Sequence, residues 1–303
     1  MNFILLIFSF FTTFIIFYGS LINYFENYLP VFFVQTFRYG KFAYNGENAS
    51  KLCIEVPKSW FRHFYKLAIV TQTYVLFLVS SVYIFKHEVP MWVEEFLDLV
   101  CGEDRVAFNS ATKVYISVVL LTLQVYRRYY DTHYVSIYGK SSKINFSQYL
   151  VGVLHYPLAC MALLCESPKF AYSEPELEEV NIQSLTKLDV FFIAVFLLSW
   201  YHQHVCTKIL ANLRTNKKGV IVTEEHRLPE GDWFNYLSCP HQTAEILMYF
   251  SLCVLMKYNI TWFFVFCWVF SNQVETILLS HWWYQKTFDK FPKSRKALIP
   301  FMY

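Results

Sequence analysis

Leu188-Asp189-Val190-Phe191-Phe192-Ile193-Ala194-Val195-Phe196-Leu197-Leu198-Ser199-Trp200-Tyr201-His202-Gln203-His204-Val205-Cys206-Thr207-Lys208-Ile209-Leu210 is an almost unbroken apolar run with three hydrogen-bonding side chains about two thirds of the way along it. Such a run meets the roughly 20 residues that a helix needs to cross a bilayer core of about 30 Å. Imidazoles and amides are expensive in lipid and are usually kept there for function. The two histidines stand at i and i+2, and each helical residue advances about 100°, so they face nearly opposite sides. One regular helix cannot bring both to a single metal, which favours hydrogen bonding by His202 or Gln203 to a polar ligand.

Working outward, six further apolar runs lie near 3–25, 66–86, 113–135, 147–165, 244–258 and 260–283. The sixth run of the full set is short and is joined to the seventh by little more than Lys257-Tyr258-Asn259, which predicts a tight hairpin. The chain is 55% hydrophobic and 20% aromatic with only 16% charged residues, against about a quarter charged in a soluble domain. Thirty-one Phe and twenty-three Tyr against eight Gly point to ring-lined helices and away from a Gly-rich nucleotide fold. The expected fold is all-α, a polytopic integral membrane protein of about seven transmembrane helices. An N-terminal half (1–145) and a C-terminal region (146–303) are expected to form one integrated membrane domain.

Charge sorts by side. Most of the 26 Lys and Arg follow the first, third, fifth and seventh runs, as Arg38, Lys41, Lys58, Arg62, Arg127, Arg128, Arg214, Lys217, Lys218, Lys293, Arg295 and Lys296. Glu94, Glu95, Glu103, Asp104, Glu174, Glu176, Glu178 and Glu179 fall on the other side. By the positive-inside rule the N-terminus is lumenal and the C-terminus cytosolic. Residues 2–25 lack a basic leader and a small-residue cleavage site, so they are expected to be retained. The eight cysteines contain no C-x-x-C pair and read as reduced, mostly buried thiols. The sequons at Asn48, Asn145 and Asn259 fall in the cytosol or hard against the bilayer, so little glycan is expected, and the acidic loop 166–187 reads as a solvated linker.

Polar residues gather in the last third of the chain. Glu245 opens the sixth run just after His241, and an unpaired carboxylate entering lipid needs a partner. Glu275, His281 and Tyr284 repeat the theme in the seventh run, the last two sharing a face at i and i+3. Arg214 and Arg227 suit a phosphate-bearing ligand better than Lys217 and Lys218, which ordinary positive-inside charge explains. Earlier, His63 and Tyr65 head the second run, where an interfacial aromatic belt is the bland alternative to substrate contact. Arg127 and Arg128 either snorkel to the interface or point inward at an anion, whereas Gln124 lies one turn deeper with no interfacial explanation.

The closing Phe291-Pro292-Lys293-Ser294-Arg295-Lys296-Ala297-Leu298-Ile299-Pro300-Phe301 resembles the terminal signature of the steroid 5α-reductase family. His202-Gln203-His204, His226-Arg227-Leu228-Pro229 with Gly231-Asp232-Trp233-Phe234, and Ser280-His281 before Tyr284 resemble its polyprenoid-reducing branch. The resemblance implies a seven-helix membrane fold of the endoplasmic reticulum that binds NADPH among its C-terminal helices, opens to the cytosol and serves dolichol synthesis for protein glycosylation. Carried over by position, it implies cofactor-binding or supporting roles for Arg214, Arg227, Glu245, Tyr284 and Arg295. His241 stands where steroid-reducing relatives have Asn, and His281 is one residue from their matching histidine; with Gln203 these complete the expected cofactor set. The steroid enzymes' ketone-polarising glutamate has no counterpart in Trp60–Tyr65.

The residues read by themselves agree on the cofactor. No G-x-G-x-x-G or Walker loop exists among the glycines, so side chains must hold any nucleotide, and the arginines favour NADPH over NADH. Hydride is a nucleophile, and the double bond of a polyprenal is conjugated to a carbonyl whereas that of a polyprenol is not. The expected direct substrate is therefore the aldehyde, with His63, Tyr65 and Gln124 as candidates for holding its oxygen. The expected partners are a long-chain polyprenoid and membrane lipid, with neither nucleic acid nor metal. A 3-oxo-Δ4-steroid reductase and a non-catalytic transporter or scaffold are the competing readings.

Overall fold

The computed structural model describes residues 1–38, 42, 50, 52–171, 179–216, 220–223 and 225–299. Lys41, Asn48, Lys217, Lys218, Glu224, the acidic residues Glu174, Glu176 and Glu178, and the terminal Pro300 and Phe301 lie outside them. The helices are α1 (Phe3–Phe25), α2 (Val31–Phe37), α3 (Phe61–Tyr83), α4 (Met91–Cys101), α5 (Ala111–Tyr130), α6 (Phe146–Leu164), α7 (Lys187–Asn212), α8 (Pro240–Leu255) and α9 (Ile260–Thr287). Two short strands, β1 (Glu55–Pro57) and β2 (Lys143–Asn145), pair antiparallel with Val56 opposite Ile144.

Local chemistry sets where the helices begin. Asn2, Ser110, Asn145 and Asn259 each accept a backbone N–H of the first turn of α1, α5, α6 and α9. Thr186 and Asp189 form a reciprocal capping box on α7, and Pro240 supplies the first residue of α8, where a missing N–H does no harm. Asn145 and Asn259 are themselves buried by this work, and Asn259 also donates to Ala162 O at 2.9 Å.

Five helical runs, Phe3–Tyr28, Lys58–Tyr83, Phe146–Leu164, Lys187–Asn212 and Ile260–Thr287, are long and apolar enough to span a bilayer. The other two expected spans are present as α5 and α8 but differ in kind. α5 carries Lys113, Gln124, Arg127 and Arg128, and the 16 residues of α8 make only about 24 Å of helix. Both can be more polar or shorter than a lone span because protein encloses them: α5 packs on α3, and α8 lies between α7 and α9. Val114, Val118, Leu121 and Val125 of α5 and Met248 and Leu252 of α8 are fully buried. The outward faces carry Phe10, Phe17, Phe77, Leu198 and Phe263, an apolar exterior suited to lipid. A groove of about 530 Å³ on that exterior is lined by α1 alone and belongs to the lipid-facing surface.

α1 packs against α9, and α3 also contacts α6. In the α1–α9 seam Asn23 Nδ2 donates to both carboxylate oxygens of Glu275 at 3.0 Å, and Gly19 lets that carboxylate approach, since a Cβ there would stand 3.0 Å from it. The start of the 166–187 segment is not a solvated linker. Glu166 accepts Ile260 N and Thr261 N at 2.7 and 3.0 Å, capping α9, while Ser167 and Phe170 are buried. Of the acidic residues there, Glu179 is exposed and pairs with Lys86. All eight cysteines are free thiols, five of them buried; Cys53, Cys253 and Cys267 are only half-buried.

Candidate active site

Where α5, α7 and α8 meet, a set of polar side chains is sealed inside the bundle. Gln124 is 0% exposed, Gln203 1%, Asp131 0% and Arg127 7%. Gln203 is the hub. Its Nε2 donates to Glu245 Oε2 at 3.0 Å and to the His241 carbonyl at 2.8 Å, while its Oε1 accepts from Gln124 Nε2 at 3.0 Å and from the Arg127 guanidinium. Arg127 also donates to Gln124 Oε1 at 2.5 Å and pairs with Asp131 at 2.7 Å. Buried charge is tolerated only when paired and hydrogen-bonded in this way. Arg127 thus points inward and does not snorkel.

Residues Asp131–Val135 continue α5 as a π turn, a form common at functional sites. The turn begins at Asp131, whose second carboxylate oxygen accepts from His204 Nδ1 at 2.6 Å. On the other face of α7, His202 Nδ1 lies 2.9 Å from Asp232 and its ring stacks on Trp233. The two histidines therefore serve opposite faces, as the helical period requires. Among the described residues no three His, Cys, Asp or Glu side chains converge as a metal site.

Next to this network, Arg128 Nε donates to Tyr65 Oη at 3.1 Å and stacks over its ring, and Arg128 also lies in electrostatic range of Glu245. Tyr65 packs against Tyr156, and Tyr249 is 2.9 Å from His155 Nε2 and stacks on Trp262. Sequence reasoning left out Tyr156, Tyr249 and Asp131, and weighed His204 only as a metal ligand beside His202. The i, i+4 spacing of Arg127 and Asp131 on one helix was the available signal for Asp131.

A second cluster forms behind the N-terminus of α8. His281 Nδ1 and Ser238 Oγ are 2.7 Å apart, and Gln285 Nε2 meets the other ring nitrogen at 2.9 Å. The tail returns as a strand-like contact, with Lys296 N donating to Tyr236 O and Ser238 N donating to Lys296 O. This buries Arg295 to 3% exposure, its guanidinium over the Phe291 ring and Tyr284 stacked on that same ring. Arg295 Nε and Nη1 have no hydrogen-bond partner among the described residues, and burial draws the guanidinium below its usual range.

The structure thus joins Gln124, Gln203, His241 and Glu245 directly, with Tyr65 alongside through Arg128. It groups His281, Tyr284 and Arg295 one helix turn away, where Ser238–Pro240 leads into α8. Three expected residues stand apart. His63 is exposed and bonds Tyr149 at 3.1 Å within an aromatic cluster with Trp60. Arg214 donates to the Ile137 carbonyl at 3.0 Å. Arg227 is exposed and makes no ion pair with Glu245. Glu275 faces α1 and not the site.

The donor set suits a phosphorylated, amide-bearing nucleotide. A buried guanidinium with unpaired N–H groups calls for an anion, and the Glu245 carboxylate, held by Gln203, offers acceptor oxygens to an amide N–H. A family model described as 3-oxo-5-alpha-steroid 4-dehydrogenase matches residues 169–303, which contain the second cluster and Gln203, His204, His241 and Glu245 of the first. The chain is 39% identical to a polyprenal reductase of Drosophila melanogaster, over 99% of this chain and 93% of that one. It is 34% identical to a Caenorhabditis elegans polyprenal reductase over 87% and 85% of the two chains, and 30% identical to a human one over 89% and 86%. With a buried polar centre where α5, α7 and α8 meet and similarity running through nearly the whole length, the chain belongs to the polyprenal reductase branch of the steroid 5α-reductase family.

Proposed function

We propose that this chain is an NADPH-dependent polyprenal reductase that saturates the α-isoprene double bond on the way to dolichol. The observation that carries the proposal is the sealed Gln124–Arg127–Gln203–Glu245 network beside Tyr65, inside a membrane bundle whose relatives are polyprenal reductases. Glu245, Gln203 and the His241 region would hold the nicotinamide end, and Arg295 with Tyr284 and His281 the phosphate-bearing end. When bound, NADPH supplies a hydride, which suits the electron-poor β carbon of a conjugated aldehyde. Tyr65 Oη accepts from Arg128, so its own hydrogen remains to be donated to the aldehyde oxygen. Gln124 has one end held by Arg127 and the other by Gln203, which fits it for orienting those groups; exposed His63 would meet the substrate only on its approach. Arg214 ties the loop after the π turn, and exposed Arg227 would meet the nucleotide phosphates from solvent. The isoprenoid tail needs no polar contact and would leave between helices into lipid.

We place the protein in the endoplasmic reticulum membrane with its N-terminus lumenal and its basic C-terminal side cytosolic. Regions 1–145 and 146–303 act as one unit, a reading supported by the packing of α1 on α9. The test is purified full-length protein with NADPH and either a polyprenal, the matching polyprenol or a 3-oxo-Δ4-steroid. Reduction of the aldehyde alone is expected. Turnover of the alcohol with no aldehyde formed, or of the steroid in preference to the aldehyde, would overturn the assignment.

A further inference from the structure

The chain of contacts from the buried centre does not stop at Arg127. It continues to Asp131 and ends at His204, whose side chain is 27% exposed whereas that of Asp131 is 0%. Each link is within hydrogen-bond distance: His204 Nδ1 to Asp131 Oδ1 at 2.6 Å, Asp131 Oδ2 to Arg127 Nη1 at 2.7 Å, then Arg127 to Gln203, and Gln203 to Glu245 at 3.0 Å. Two features show that this is built and not incidental. The helix leaves its regular path into a π turn at Asp131, and the carboxylate uses both oxygens, one for each neighbour. Asp131 also balances a locally dense set of charges, since Arg127 and Arg128 are met by Asp131 and Glu245.

We propose that His204 and Asp131 are positioning residues for nucleotide binding: they fix Arg127, and through Arg127 and Gln203 they set the Glu245 carboxylate. This rests on the reading of Glu245 as a nucleotide contact. The physical argument is that Gln203 presents its Nε2 to Glu245 while its Oε1 is held from the opposite side by Arg127, the one charged donor on it, together with Gln124. Arg127 has a choice of acceptors, and Asp131 limits that choice by occupying Nη1. His204 in turn stops the Asp131 carboxylate from swinging to a second donor. Neither residue touches the ligand, so their effect must appear as energetic coupling to Glu245.

The experiment measures NADPH affinity of the full-length protein in detergent, by energy transfer from tryptophan to the bound dihydronicotinamide. It compares wild type with Asp131→Asn, His204→Phe, His204→Asn, Glu245→Gln and the double variants that combine Glu245→Gln with each change at 131 or 204. His204→Phe and Asp131→Asn should each weaken NADPH binding about tenfold, or roughly 1.4 kcal/mol. Once Glu245 is already Gln, either change should weaken it less than about twofold. His204→Asn, which keeps an N–H donor near the place of Nδ1, should restore affinity to within about twofold of wild type. Fold losses that simply multiply in the double variants, or a His204→Asn as weak as His204→Phe, would overturn the proposal. Because His204 lies at the edge of the bundle, its variants keep the test decisive should Asp131→Asn fail to fold. A wild type with no NADPH affinity would overturn the nucleotide reading itself and this proposal with it. Multiplying losses in a wild type that binds NADPH would overturn this proposal alone.

Discussion

Replacing Gln203 by Leu keeps the volume of the hub and deletes all of its hydrogen bonds. Four partners are affected: Arg127, Glu245, Gln124 and the His241 carbonyl. Bonds to charged groups contribute about 1.5–3 kcal/mol each and neutral ones about 1 kcal/mol. Arg127 retains Asp131 and Gln124, so part of that sum is recovered, and a net loss of about 3 kcal/mol is expected. For a chain of this size that corresponds to a fall in unfolding temperature of roughly 5 °C. The assay is thermal unfolding of the solubilised protein followed by tryptophan fluorescence, run beside NADPH titration, where affinity should drop more than about tenfold. Gln203→Glu should unfold closer to wild type, because Arg127 gains a carboxylate, yet bind NADPH as poorly, because two carboxylates then face each other. An unfolding temperature within about 2 °C of wild type for Gln203→Leu, with unchanged NADPH affinity, would refute the role of this residue as the hub.

Other outcomes follow from single features. Arg295→Met should keep the chain folded, because it removes a buried guanidinium whose Nε and Nη1 make no hydrogen bond, and lower NADPH affinity about tenfold; equal affinity in a titration would count against a phosphate contact. In Gly152→Ala the new Cβ would stand 2.4 Å from the Phe64 ring, so α3 and α6 must separate or Phe64 must turn, at about 1–3 kcal/mol read as a lower unfolding temperature. Burial raises the Tyr138 phenol from 10.0 to about 12, against the opposing pull of the Arg128 and Arg62 guanidiniums. Its contribution is therefore complete below pH 10 and lost as pH rises towards 12; Tyr138→Phe should remove that part of the alkaline loss in a stability-against-pH series.

The spans were legible because apolar length and charge asymmetry are properties of a stretch, not of contacts. Gln124, Gln203 and Glu245 were legible for a related reason: each breaks an apolar run where no interface excuses it. Asp131 and His204 were harder to read. Asp131 follows Tyr126-Arg127-Arg128-Tyr129-Tyr130, which looks like an ordinary membrane border, and nothing in the sequence announces that a π turn rotates it towards α7. His204 was considered only against metal binding with His202, and its partner lies 73 positions away. The strand pair was invisible for the same reason, since Val56 and Ile144 meet only after three helices have packed. α2 is only seven residues long and α4 mixes charge with apolar residues, so hydropathy alone did not separate them from loops. Arg227, expected to suit a phosphate-bearing ligand, lies exposed, a position that its Pro-bounded setting did not reveal.

The bond between Asn23 and Glu275 ties partners 252 positions apart. During synthesis α1 enters the membrane long before α9 exists, so a polar amide waits in lipid for nearly the entire time the rest of the protein is being made. Assembly consequently finishes by recruiting its oldest helix to its youngest, a late and distant step of the kind that proceeds slowly. Quality-control machinery that surveys exposed intramembrane amides would see every unfinished copy of this chain and stop seeing it once that seam shuts.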